Sequence, residues 1–189
     1  MEMITRLHII AVTVTLFLSF PQLHAQQWSA STNVIDYVNL GTFNAELTYG
    51  VARHWSLTAG AKYNPFSFTG ASGQVARHRQ QQYAIGARWW PWHVNSGWWG
   101  AAKLQYQEYN MGGVFSNSTE EGDCYGGGLT AGYTHMLNKH LNLEFGLGLW
   151  GGYKVYTVYS CPECGITEEQ GTKFFFAPND IIVSVAYVF

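Results

Sequence analysis

Charge is what this chain lacks most. Only 12% of its 189 residues are charged, about half the roughly 25% of ordinary soluble domains. Too few charges are available to cover a water-exposed surface of this size. A basic excess is missing as well: ten Lys and Arg against twelve Asp and Glu leave a net charge of -2, so no nucleic-acid partner is expected. Long apolar runs are absent beyond residue 20, and a membrane-spanning helix needs about 20 consecutive apolar residues. With a mean hydropathy of -0.08, a helical membrane protein is excluded. A transmembrane β-barrel is not, because each of its strands mixes lipid-facing with lumen-facing positions.

The single continuous apolar run, Ile9 to Phe20, follows Arg6 and precedes Pro21-Gln22-Leu23-His24-Ala25. It reads as a secretory signal peptide over residues 1–25, cut after Ala25. Residues 26–189 are then one domain.

Alternation is the abundant feature of that domain. Phe43 to Val51 places Phe43, Ala45, Leu47, Tyr49 and Val51 on one face, with Asn44, Glu46, Thr48 and Gly50 on the other. Trp55 to Tyr63, Tyr83 to Trp89, Trp98 to Tyr109, Tyr125 to Tyr133 and Leu141 to Leu149 repeat the pattern, and Ile181 to Phe189 closes it. A period of two is the signature of strands, not helices. With a first strand at about Trp28 to Asp36, eight strands are expected, forming an all-β, antiparallel up-and-down transmembrane barrel. Tyr187 and Phe189, on the apolar face of the last strand, are expected to form the aromatic terminal signal read by the barrel-assembly machinery.

The polar face is small. Glycines 50, 60, 86, 126, 128, 132, 146 and 148 all fall on it, beside a few long side chains: Glu46, Lys62, Arg88, Lys103 and Glu144. An eight-stranded barrel is just wide enough for side chains to fill. The lumen is therefore expected to be plugged, with these five charges paired in a network. A narrow pore is the alternative.

Short connections at Ala52 to His54, Pro91 to Ser96 and Met136 to Lys139 alternate with longer ones at about Asn64 to Arg79, Asn110 to Asp123 and Ser160 to Thr172. Outer-membrane barrels have short periplasmic turns and long external loops, so both termini are expected in the periplasm. Tyr37 to Thr42 is external yet short. Trp55, Trp89, Trp90, Trp92, Trp98 and Trp99 flank the short turns as one interfacial girdle, and Tyr63, Tyr106, Tyr109, Tyr153, Tyr156 and Tyr159 are among those expected in the other. Consecutive aromatics at Trp89-Trp90-Pro91-Trp92 break alternation, so at least one must point inside.

Three cysteines are present. Cys161 and Cys164 flank Pro162-Glu163 in the last long connection, and Cys124 begins the sixth expected strand. In an exported protein a loop disulfide among Cys124, Cys161 and Cys164 is expected. The same spacing is half a zinc site, but no second pair completes it.

The ordered series Ser31-Thr32-Asn33-Val34, Asn44-Ala45-Glu46, Trp55-Ser56-Leu57, Ala87-Arg88-Trp89-Trp90, Gly128-Leu129-Thr130-Ala131-Gly132-Tyr133, Asn142-Leu143-Glu144, Cys161-Pro162-Glu163-Cys164-Gly165 and Ala177-Pro178-Asn179 resembles the family called domain of unknown function 3575. The resemblance covers nearly all of the chain past the signal. It implies a small outer-membrane barrel of Bacteroidetes, with genes often near fimbrial or surface-assembly components, and it brings no activity.

The expectation is a non-catalytic barrel without cofactor in the outer membrane of a Gram-negative bacterium. It would be surrounded by outer-membrane lipid and meet a surface or fimbrial protein through its external loops. The competing reading is a lipid-modifying enzyme, a deacylase or acyltransferase, built on His78 with Ser72, Ser116 or Asp123. His54, His93, His135 and His140 fall at short turns and are read as interfacial. A soluble lipocalin-like barrel would invert the faces.

Overall fold

The computed structural model describes residues 28–69, 75–112, 118–160 and 165–189. The expected signal peptide, Ser72, Ser116, Cys161 and Cys164 lie outside them. Nine strands and one short helix follow in the order β1 (Trp28–Asn33), α1 (Val34–Val38), β2 (Phe43–Ala52), β3 (Trp55–Asn64), β4 (Ser67–Thr69), β5 (Val75–Trp89), β6 (Gly97–Gly112), β7 (Thr119–Met136), β8 (Leu141–Tyr159) and β9 (Thr167–Val188).

All strands but β4 form a closed, antiparallel, eight-stranded barrel, sealed by β3 against β5 and by β1 against β9. The strands are steeply inclined. Following paired residues from Ala30 through Leu47, Ala59, Ile85, Leu104, Gly127 and Gly151 returns to β9 at Phe176, whereas Ala30 itself pairs with Tyr187. That offset, interrupted by a bulge beside Pro178, corresponds to a tilt of about 40°.

Faces are as the alternation requires. Leu57, Ile85, Leu104, Leu129, Leu147 and Ile181 point outward and are more than half exposed. Thr48, Ser56, Thr58, Arg88, Thr130, Thr134 and Glu144 point inward and are buried. The inverted, lipocalin-like arrangement is thereby overturned, since the apolar surface is on the outside.

Three expectations need correction. The first strand ends at Asn33, not Asp36, because the Asn33 side chain caps α1 by accepting from the Ile35 amide at 3.3 Å. The expected long connections are mostly ladder: β5 begins at Val75, β8 runs to Tyr159 and β9 begins at Thr167. Strand pairing can continue on polar residues once both neighbours supply main-chain partners, so loss of alternation did not end these strands. Trp90, Trp99, Tyr109 and Tyr156, read as girdle residues, point inward instead.

Trp90 is fully buried and donates its indole N–H to Ser56 Oγ at 2.9 Å. Its ring lies 6.1 Å from that of Trp99. Ser29 and Asn142 bond Asn95 from below, so the connection after Trp90 folds into this end and closes it.

Candidate functional site

Above the Trp90–Trp99 layer the interior carries seven charged side chains in one alternating chain. Lys62 on β3 reaches Asp36 of α1 at 3.0 Å and Asp180 of β9 at 3.4 Å. Lys103 on β6 meets the same Asp180 at 3.2 Å and Glu46 of β2 at 3.6 Å. Arg88 on β5 then joins Glu46 to Glu144 of β8, the latter at 3.1 Å. Thr134 donates a final hydrogen bond to Glu144 at 3.4 Å. Each cation bridges two carboxylates, so the burial of every charge is offset by opposite charges beside it.

Inward positions on six different strands build this layer, and glycines on the same face make the room. At Gly132 and Gly146 the Trp99 ring stands where a side chain would otherwise be. Arg88, only 2% exposed, lies over that ring with its guanidinium carbon 4.3 Å from the centroid. Remaining free space beside the layer amounts to about 60 Å³, room for a few waters.

The five charges singled out in the sequence, Glu46, Lys62, Arg88, Lys103 and Glu144, are thus brought together. Asp36 and Asp180 were missed. Asp36 falls at the end of the expected first strand, and Asp180 one residue before the expected last one. A signal existed: three cations against two acids in a closed interior leave a charge that further carboxylates must meet.

A second cluster lies beyond the outer ring of Tyr83, Tyr106, Tyr125, Tyr153 and Phe174, which the ladders place in one row. Lys154 pairs with Glu120, Tyr109 donates to the same carboxylate, and Tyr156 donates to Glu169. Burial opposes the ionised form of Glu120, but hydrogen bonds from Lys154 and Tyr109 and the charges of Lys154 and Lys173 hold its pKa below the ordinary value. A carboxylate lowered in the folded state stabilises it above the ordinary pKa and loses that contribution as pH falls through the lowered one. Comparison of Glu120→Gln with the unaltered protein by thermal unfolding should therefore show a steady deficit down to the ordinary value of 4.5, vanishing in stronger acid. A deficit independent of pH would refute the assignment.

Cys124 is a buried free thiol. It pairs in register with Lys154, whereas the far end of β7, Thr119, pairs with Tyr159. Its expected disulfide partners, Cys161 and Cys164, lie outside the described residues.

Of the residues considered for lipid chemistry, His78 and Asp123 are not brought together. His78 pairs with Met111 and Asp123 with Glu108, an odd separation along β6 that puts the two on opposite faces. Asp123 accepts instead from Tyr106 at 2.7 Å.

At the other end Phe189 donates its amide to Trp28 O at 2.9 Å, and its ring stands edge-on to Tyr187 with centroids 5.2 Å apart. Both rings face outward, 49% exposed for Tyr187 and 63% for Phe189. His140 stacks on Tyr187 at 5.7 Å.

Among known proteins, a family described as a protein of unknown function (DUF3575) matches residues 11–189. No curated protein matches the chain.

Proposed function

The chain belongs to the DUF3575 family, so its role must be argued from its own surfaces, and we propose that it is an integral outer-membrane barrel that acts without catalysis. Its interior is closed by ion pairs and tryptophans, and it works as an anchoring or surface-interaction protein through the rim opposite its termini. One observation carries this reading: a band of exposed apolar side chains runs round the barrel between two rings of aromatics. Trp28, Trp55, Trp89, Trp98 and Tyr187 make one ring, and Phe43, Tyr63, Tyr83, Tyr125 and Tyr153 the other, each between 48% and 64% exposed.

On β9 the distance from Tyr187 to Phe176 at this tilt is about 27 Å, close to the roughly 25 Å apolar band of outer-membrane barrels. Soluble monomers rarely expose an apolar patch beyond a few hundred Å². Here lipid is the fitting solvent. The charged interior supports the same reading, since only about 60 Å³ stays free beside its paired side chains. Surface or fimbrial components are the proposed partners, met where β5 to β9 rise beyond the outer ring.

Cell fractionation tests the reading. The protein should sediment with the outer membrane, dissolve only in detergent, and run on gels at a mobility that changes on heating. Recovery from the soluble periplasm would overturn it. Lipid A mass spectra should be identical with and without the gene, and altered acylation would refute the non-catalytic part.

A further inference from the structure

Strand β9 is paired on one side for its whole length and on the other for only its last quarter. Its ladder with β8 runs from Thr167 opposite Tyr159 to Tyr187 opposite Leu141, while that with β1 covers only Ser184 to Val188. The ending of the short ladder is built. Asn33 replaces the next main-chain pair with its side chain, accepting from the Val183 amide at 3.0 Å and donating to Ile181 O at 2.9 Å. The chain then leaves the edge as α1. Next along β9 comes the bulge beside Pro178. From Ala177 up to Thr167, no described strand pairs with the second edge of β9.

The opposite edge of the same raised sheet is treated differently. There β4 pairs with Val75 to Arg77, and Phe66 O accepts from the His78 amide at 3.3 Å. Exposed sheet edges invite strand addition, and proteins generally cover or blunt them. Among the described residues, one edge here is covered and the other is left open.

We propose that the free edge of β9 from Thr167 to Ala177 is a strand-addition site that takes an extended segment of another protein. This deepens the surface-interaction reading and rests on it for the partner's location. What the edge offers is a row of main-chain donors and acceptors repeating every second residue, which only another extended strand matches along its length. Side chains refine the choice. Phe174 and Phe176 are 63% and 68% exposed on the outer face, while Phe175 on the inner face packs edge-on against Trp150 at 4.5 Å. The incoming segment therefore carries large apolar residues at two successive positions of its outer face.

Antiparallel pairing with a second copy in the same membrane does not fit. Two such copies are related by an axis along the membrane normal, which leaves both β9 strands pointing the same way. A self-paired antiparallel edge needs them to run in opposite directions.

Amide exchange followed by NMR on the full chain in detergent micelles tests the site, with a synthetic peptide of the sequence Gly152–Tyr159 as probe. That segment already pairs with the other side of β9 across Phe174 and Phe175, so its side chains suit both faces. In the free protein, alternate amides from Thr167 to Ala177 should exchange fast and the intervening ones, held by β8, slowly. Added peptide should slow the fast set about tenfold or more and leave β2 and β3 unchanged. The same peptide with Val155→Pro should do nothing.

Thr172→Pro and Lys173→Pro occupy adjacent positions, one facing β8 and one the free edge. The variant that removes the free-edge amide should keep the heat-modifiable barrel and lose the peptide effect. Slow exchange of both sets in the free protein, or protection by the peptide elsewhere or nowhere, would overturn the proposal. The exchange result does not depend on cellular location, so failure of the fractionation test is distinguishable from failure of this one.

Discussion

Arg88→Met should lower the unfolding free energy by about 3–5 kcal/mol, the usual cost of removing one partner from a buried ion pair. The size follows from what the substitution strands. Glu144 is 3% exposed and Glu46 20%, and both would keep a charge with its strongest partner gone. Lys103 reaches Glu46 only at 3.6 Å, and Glu144 would be left with a neutral hydroxyl. Arg88→Lys should recover part of the loss, because an ammonium has no planar fork with which to serve two carboxylates at once. The decisive comparison is Arg88→Met combined with Glu46→Gln and Glu144→Gln. Removing the whole charge group is often neutral, so the triple variant should be more stable than the single one. Equilibrium urea unfolding in lipid vesicles measures all of them, and a triple variant worse than Arg88→Met would sink the account.

A smaller loss is expected from adding one methyl group at Gly152. Gly152 faces Gly126 across β7 and β8, and a Cβ there would overlap the Tyr125 carbonyl oxygen and approach Gly126 Cα at 2.6 Å. Both obstacles are backbone, so the strands themselves must separate. Gly152→Ala should cost about 1–3 kcal/mol, the range for overpacking a filled interior, and should reduce folding yield. Gly100 provides the control, because a Cβ at that position meets nothing within 4 Å. Gly100→Ala should leave stability unchanged within about 0.5 kcal/mol. Equal effects at the two positions, read by the same urea titrations, would show that close strand approach is not why glycine stands at 152.

Both predictions concern positions on the small, polar face of the strands, and that face was legible before any fold was known. Alternation in Leu141 to Leu149 or Trp55 to Tyr63 follows from the period of a strand alone. A run of that kind identifies its own inner and outer residues. Legibility failed where side chains stopped alternating, as in Gln80-Gln81-Gln82 and in Glu120-Glu121, and there the strands continue regardless. Their continuation depends on neighbouring main chains, which no single segment contains. The same limit hid Asp180, since its partners Lys62 and Lys103 are 118 and 77 residues away.

Trp90 and Trp99 show the limit from the other side. Broken alternation at Trp89-Trp90 required one ring to turn inward, but which ring depended on the pairing of Trp89 with Trp55. That pairing sends Trp89 outward and Trp90 to Ser56.

By itself, the sequence determined the number of barrel strands, the face each shows to its surroundings, and five of the charges that go inside. These properties are written in short periods along single segments. Only the tertiary structure decided how far each strand runs, that Asn33 turns the chain into α1, and that Asp36 and Asp180 complete the buried charge chain. It also decided that, among the described residues, β9 keeps an open edge. Register and closure set these features, and both arise from hydrogen bonds between segments far apart in the chain.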